Sequence, residues 1–403
     1  MTDNLEFVLL PGGNTRTNCP TSTVIDTDAD FSGNIWLKDE ENDNIYPGYA
    51  YRKDEKHLEI FVVIPHATRK TEIELVLSKD QPEVDEEIYV MQPMNLKQKD
   101  DNTIEIWKNG KIFTRFRFPT EESFTEESGI RPYFMPLNGP YDEPVTREYP
   151  LKEKKNGSTD HIHHRSLWAA WGDVNGADNW SEGITGVPQF VKKVSIKEAG
   201  CALAHIQAKI HWMDQDGEDP ILEETRDVFI FNSIGTETLI DWRIHFSAPY
   251  EDIKFGDTKE AGFVSVRVAD SMRGSHGGLI ENSFGGQMEP ECWGKKAPWC
   301  DYSGNVRGHK CGITLMDHPE NLGYPSRWHV RDYGLMAANP IGLKDFTGDK
   351  SAEGYHIMKK DEEMDLKYRV YVHAGNAQQG NVSSKYLDFV NPPELKYLDF
   401  PMF

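Results

Sequence analysis

Thr103-Ile104-Glu105-Ile106-Trp107-Lys108-Asn109-Gly110-Lys111-Ile112-Phe113-Thr114-Arg115-Phe116-Arg117-Phe118 reads as two strands and the turn that joins them. Polar and apolar side chains alternate on either side of Asn109-Gly110, the period-2 pattern of a half-buried strand. The Lys108-Asn109-Gly110-Lys111 stretch closes the two into a hairpin. The same alternation recurs upstream at 58–64 and 71–77. Downstream it returns at 191–196, 204–212, 223–231, 238–246, 263–268, 311–316 and 364–373. Helical periodicity is scarce. Long strands joined by Gly, Pro and Asn turns predict an all-β chain built as a large antiparallel β-sandwich. No repeat of 20 to 50 residues points to a propeller or solenoid.

The polar, acidic stretch at 79–87 has the composition of a linker. It divides the chain into a small N-terminal β extension, 1–87, and a main sandwich and catalytic domain, 88–403. The 403 residues are 38% hydrophobic and 27% charged, a globular balance with material for a sizeable core. A formal net charge of −22 repels nucleic-acid phosphates and anionic lipid, so neither nucleic acid nor membrane is an expected partner. Cysteines at 19, 201, 292, 300 and 311 form no CxxC pair, and their odd number argues against a disulfide framework. They read as buried thiols. No apolar run has the length of a membrane helix and no leader opens the chain. The expected location is cytoplasmic, or periplasmic if a leader has been removed. Oligomeric state is not legible.

The chemistry concentrates in Asp160-His161-Ile162-His163-His164-Arg165, followed by Leu167-Trp168 and Trp171-Gly172-Asp173-Val174-Asn175-Gly176. Each buried imidazole needs a polar partner, and a solvated loop has no need of tryptophans. The mixture suits the wall of a pocket that moves protons or binds an anionic, ring-shaped ligand. Similar groups recur at strand ends: Lys259-Glu260, Trp299, Asp317-His318-Pro319 and Arg327-Trp328-His329-Val330-Arg331-Asp332-Tyr333-Gly334. If one sheet face gathers them, indole faces stack on sugar C–H surfaces while carboxylate, guanidinium and imidazole bind hydroxyls or a carboxylate. Each residue also has a plainer reading. His163 and His164 are adjacent, so on a strand only one of them faces the pocket with His161. Glu260 can pair with Lys259 or Arg267, Arg331 with Asp332, and Trp299 can be core. A metal bound by His161, His163 and a third ligand from Glu260 or His318 is an alternative. The expectation is no cofactor and no metal, since no phosphate loop, dinucleotide fingerprint, HExxH or GxSxG is present.

The phrases from Asp160 to Trp168, from Gly172 to Gly176, from Asp257 to Gly262, from Asp317 to Pro319 and from Arg327 to Gly334 resemble the PmoA-like family of bacterial domain proteins, in this order, over about 131–373. The resemblance implies a setting in sugar catabolism. The His-rich segment with its turn and Trp is also similar, in architecture, to sugar mutarotases, which implies a supersandwich with a His and a Glu in its cleft. The chain departs from the family pattern at Ile162, where Pro is common, and in its longer N-terminal extension.

These readings converge on a carbohydrate-active lyase or dehydratase for a uronate-containing oligosaccharide. Arg165 or Arg331 neutralises the carboxylate and acidifies the adjacent C–H. His164, His318 or Tyr333 moves the protons, with Glu260 a further catalytic candidate. His161, His163, Asp173, Asn175, Trp299, His329 and Asp332 complete the expected substrate contacts. The alternatives are a hydrolase or epimerase that uses Glu260 with Asp332 or Asp173, and a sugar-binding protein without catalysis.

Overall fold

The computed structural model describes residues 5–398 except 29–30, 40, 43, 70, 81–91, 126–128, 149–156 and 184. Most of the acidic linker stretch lies outside the described residues. The chain is all-β and its sheets are antiparallel throughout. The hairpin that decides the class forms with Lys108 opposite Lys111, and Asn109 and Gly110 both have positive φ, at 51° and 73°. That is the two-residue turn whose twist matches the flanking strands.

Two eight-stranded sheets make the sandwich. One runs, in spatial order, through Gln189–Ala199, Leu203–Met213, Pro220–Phe231, Thr238–Ser247, Glu363–Ala374, His309–Asp317, Trp299–Val306 and Leu279–Asn282. The other runs through Arg327–Val330, Leu335–Asn339, Ala261–Arg267, Leu167–Trp171, Tyr133–Phe134, Lys111–Arg117, Thr103–Lys108 and Asn95–Asp100. Their facing side chains, among them Ile106, Phe134, Trp171, Ile206, Trp242 and Val370, form one continuous core.

A seven-stranded sheet is built from the strands between Glu6 and Ser78 and takes its edge from Glu394–Leu398, which pairs with Glu6–Leu10. Strand Glu394–Leu398 therefore belongs to the first sheet, because Leu395 completes that sheet's own core. In strand His57–Ala67 the two faces serve different partners. Leu58, Ile60, Val62 and Ile64 fill the sheet's own core, whereas Phe61 and Val63 pack with Phe229, Phe231 and Trp299 of the sandwich. Burial on both faces explains why this stretch is a nearly unbroken apolar run. Among the described residues, no helix is long and apolar enough to cross a membrane.

Candidate active site

The second eight-stranded sheet also has a populated outer face. Along Leu167–Trp171, Leu167, Ala169 and Trp171 enter the sandwich core, and Trp168 and Ala170 point the other way. Successive cross-strand neighbours then carry that outer face across the sheet: Tyr133 opposite Trp168, Trp168 opposite Ser265, Ser265 opposite Ala337, Ala337 opposite His329. Ser265 and Ala337 are small and leave room above the strands. Trp180 packs into this second, smaller cluster, its ring 5.6 Å from Trp168 and 6.3 Å from His329.

The His segment is a turn, not a strand, so the alternation expected for His163 and His164 does not apply. His161 has φ 45° and its carbonyl accepts a hydrogen bond from the His164 N–H. Two buried arginines satisfy the remaining carbonyls of this irregular backbone. Arg147 donates to the carbonyls of Asp160, His161 and His164. Arg131 donates to those of His163 and Trp180, which ties the turn to the Trp180 loop. Turn and loop are thus fixed on the sheet by guanidinium groups, the donors that can serve several carbonyls at once.

The rings assemble tightly. His164 stacks on Trp168 at 5.4 Å, and His161 stacks on both His164 and Tyr333 at 4.8 Å. His163 meets His164 edge-on at 4.5 Å. Arg267 organises the floor. Its Nη1 donates to Nδ1 of His164 at 3.2 Å, its Nη2 to both oxygens of Asp160 at 3.0 Å, and its guanidinium lies 4.7 Å from the Tyr333 ring centre. Asp160 in turn holds Nδ1 of His161 at 2.5 Å. Partial burial opposes the charge on Asp160, but Arg267 and His161 outweigh it and keep the carboxyl well below its usual range.

These contacts fix protonation states. An arginine offers no acceptor, so Nδ1 of His164 is the unprotonated nitrogen and its proton sits on Nε2, a buried atom with no hydrogen-bond partner among the described residues. Burial, followed by His163 and Arg267, holds this ring neutral far below the usual imidazole range. His164 is therefore a fixed donor and not the proton acceptor expected of it. His163 is only half-buried, and its ring has no hydrogen-bond partner among the described residues. Burial and then Arg131 push its pKa down to about 3. Burial and then Arg331 do the same for His329, to about 3, and its Nδ1 is buried without a partner among the described residues. Burial raises the Tyr333 phenol to about 12 against the pull of Arg331, and this hydroxyl too has no partner among the described residues.

The rim is charged. Arg331 lies 5.6 Å from the Tyr333 ring centre and pairs with Glu289 at 3.0 Å. Glu260, at the head of strand Ala261–Arg267, pairs with Lys259 at 3.4 Å and adds to the negative field on Tyr333.

His161, His163, His164, His329, Arg331, Tyr333 and the nearby Glu260 thus share one region. The other expected site residues lie elsewhere or are committed to structure. Arg165 is fully buried and bidentate to Glu182, at 2.7 and 2.6 Å, a carboxylate it shares with Arg131, so its guanidinium is committed to the interior and does not reach the rim. Asp173 accepts from the Gly176 N–H, and Asn175 bridges to Asp252 and Lys254, so both shape a loop. Asp332 exchanges hydrogen bonds with Glu289, through Glu289 N to Oδ1 and Asp332 N to the Glu289 carboxylate. Trp299 belongs to the core under the seven-stranded sheet, and His318 packs on Phe389 at 5.1 Å, away from the His turn. The metal triad drawn from His161, His163 and His318 is therefore not assembled. Among the described residues, no three His, Cys, Asp or Glu side chains are grouped to hold a metal ion.

Asp160, Arg267, Arg147, Arg131 and Trp180 are the participants that site reading of the sequence missed. Asp160 stands inside the His motif, and Arg267 ends an alternating strand; either position was a usable signal. Arg131 heads the rigid, Pro-rich aromatic segment 131–140, which marks a scaffold rather than a site, and Trp180 and Arg147 carried no signal.

None of the curated proteins matches the chain. Among solved structures, an alpha-mannosidase from Enterococcus faecalis V583 aligns at 10% identity and a TM-score of 0.41, over 99% of this chain and 46% of that one. The chain thus spans less than half the length of that protein. A sequence profile matches residues 103–386, the bulk of the sandwich and all of the ring cluster, and the chain belongs to the family it describes, the family of unknown function DUF6807.

Proposed function

We propose that the ring cluster is the acid–base centre of a carbon–oxygen lyase acting on a uronate-containing oligosaccharide. One observation carries the reading. His163 and Tyr333, both neutral at pH 7 and both without partners among the described residues, abut the same two imidazoles on an arginine-rich aromatic floor. Such groups are poised to take and give protons, and the cations around them favour an anionic substrate.

Arg331, helped by Lys259, receives the uronate carboxylate and stabilises the charge that develops when the adjacent carbon loses its proton. His163 accepts that proton. Its low pKa in the free site comes from burial and surrounding cations, and a bound anion offsets the second of these and makes the ring a stronger base. Electrons of the broken C–H bond form the C=C bond, the C–O bond breaks, and Tyr333 gives its proton to the departing oxygen. Proton return from His163 to the Tyr333 phenolate resets the site. His164, as a fixed neutral donor held by Arg267, positions the rings above it. A hydrolase built on Glu260 has less support, since Asp332 and Asp173 are bound to backbone N–H groups and supply no second free carboxylate.

The test is incubation with a panel of uronate oligosaccharides. A growing ultraviolet band of a conjugated enoate, lost in Tyr333→Phe, is the expected result. Saturated products heavier by one water, or binding without turnover, overturn elimination.

A further inference from the structure

A cavity of about 480 Å³ separates the seven-stranded sheet from the sandwich, and it shares no residue with the ring cluster. One wall comes from strands Arg16–Asp26 and His57–Ala67, the other from Thr238–Ser247 and Glu363–Ala374, and the end of helix Val382–Val390 closes a side. Of the Asp317-His318-Pro319 motif, His318 lines it, while Asp317 is held by Asn321 and the Ser326 N–H.

Its lining charges are nearly balanced. Three carboxylates each meet a cation: Glu59 with Arg243 at 3.0 Å, Asp241 with Arg369 at 2.6 Å, Glu320 with Lys367 at 2.6 Å. Lys53 is the fourth cation, 3.8 Å from Glu59 and 45% exposed, and it leaves a surplus of one positive charge. The backbone N–H of Glu320 donates to Nδ1 of His318 at 3.3 Å, which leaves Nε2 of the neutral ring as a donor without a partner among the described residues. Phe389 supplies a half-buried apolar ring with the Arg369 guanidinium 4.7 Å from its centre, and Phe61 lies buried beneath Arg243 at 5.2 Å.

We propose that this cavity binds a monoanionic sugar acid of one or two rings, such as a hexuronate. Its volume lies in the range of small-molecule pockets. Alternating carboxylates and cations match the paired donor and acceptor character of vicinal hydroxyls, and the half-buried Phe389 ring matches the C–H side of a pyranose. The surplus ammonium of Lys53 takes the single carboxylate. A phosphate or dicarboxylate meets three carboxylates in the same walls and is disfavoured. Nothing in this argument depends on catalysis at the ring cluster.

Hydrogen–deuterium exchange of the full chain separates the two places. With glucuronate or galacturonate at about 1 mM, exchange is expected to slow in peptides covering 53–61 and 318–320, while inorganic phosphate leaves them unchanged. Glucose is expected to bind roughly tenfold more weakly than the uronates, a difference that Lys53→Met erases. His318→Phe keeps the ring contact with Phe389, loses the Nε2 donor and weakens both sugars. Protection that is absent, confined to 160–168 and 329–335, equal with phosphate, or indifferent to both substitutions overturns the proposal.

Discussion

At the scale of single residues, Tyr333 and His163 matter for what they lack. Each is a proton-bearing group without a hydrogen-bond partner among the described residues, in a region where Arg131 and Arg147 are held by backbone carbonyls and Arg267 by Asp160. Tyr333→Phe removes one hydroxyl from a ring that His161 and Arg267 already hold. The variant should keep its fold and lose roughly 10²–10⁴-fold in kcat, measured on the substrate that gives the enoate band. With His163 depressed to about 3 and Tyr333 raised to about 12, kcat/KM should stay flat between these limits, instead of falling near the ordinary imidazole value. A pH–rate profile of the free enzyme checks this. The depressed imidazoles also set acid stability. A folded-state pKa below the unfolded one means stability that is complete above the unfolded value and lost as pH falls toward the folded one. For His163 and His329 that window runs from 6.5 down to about 3. Each contributes on the order of 1.4 kcal/mol per pH unit there, and urea melts across the window should show it.

At the scale of elements, the hairpin of Thr103–Lys108 and Lys111–Arg117 was legible because turn chemistry and alternation agree. Gly110 has φ 73° with open space around an added Cβ, so Gly110→Ala meets backbone strain alone. It should cost about 1 to 2 kcal/mol in chemical unfolding. The strands that carry the ring cluster were illegible for a physical reason. Leu167–Trp171, Arg327–Val330 and Leu335–Asn339 are covered on both faces, by the sandwich core beneath and by Trp180, Tyr333 and the His turn above. Two-sided burial erases alternation, so these segments read as aromatic or small-residue loops. The His motif itself was visible, yet its members could not be sorted. Arg165 and His164 are neighbours in sequence, but one is spent on Glu182 and the other is held by Arg267, and only a three-dimensional partner decides which. His318 and Trp299 share residue types with the site and belong to the contact between sheets.

At the scale of the whole molecule, the first sheet is tied to the rest by Phe61 and Val63 and by a buried ion pair between Arg16 and Asp388, at 2.6 Å. Arg16 also donates to the Pro11 and Asn391 carbonyls, which joins the start of the first sheet to the end of the last helix. Arg16→Met leaves a buried carboxylate without its cation and should cost about 3–5 kcal/mol, read as a lowered midpoint in denaturant. The reciprocal exchange of both residues for apolar ones should recover much of that loss.

The pairing of Glu6–Leu10 with Glu394–Leu398 places the first and last described strands side by side. On the ribosome, Glu6–Leu10 therefore stands as a bare rim until residues 394–398 have been made, some tens of seconds later at about 5–20 residues per second. For all that interval its unsatisfied amides and carbonyls can recruit a stray strand from a neighbouring nascent chain. Slow translation ahead of residues 394–398 should thus favour aggregation through this rim, before the sandwich has any part in it.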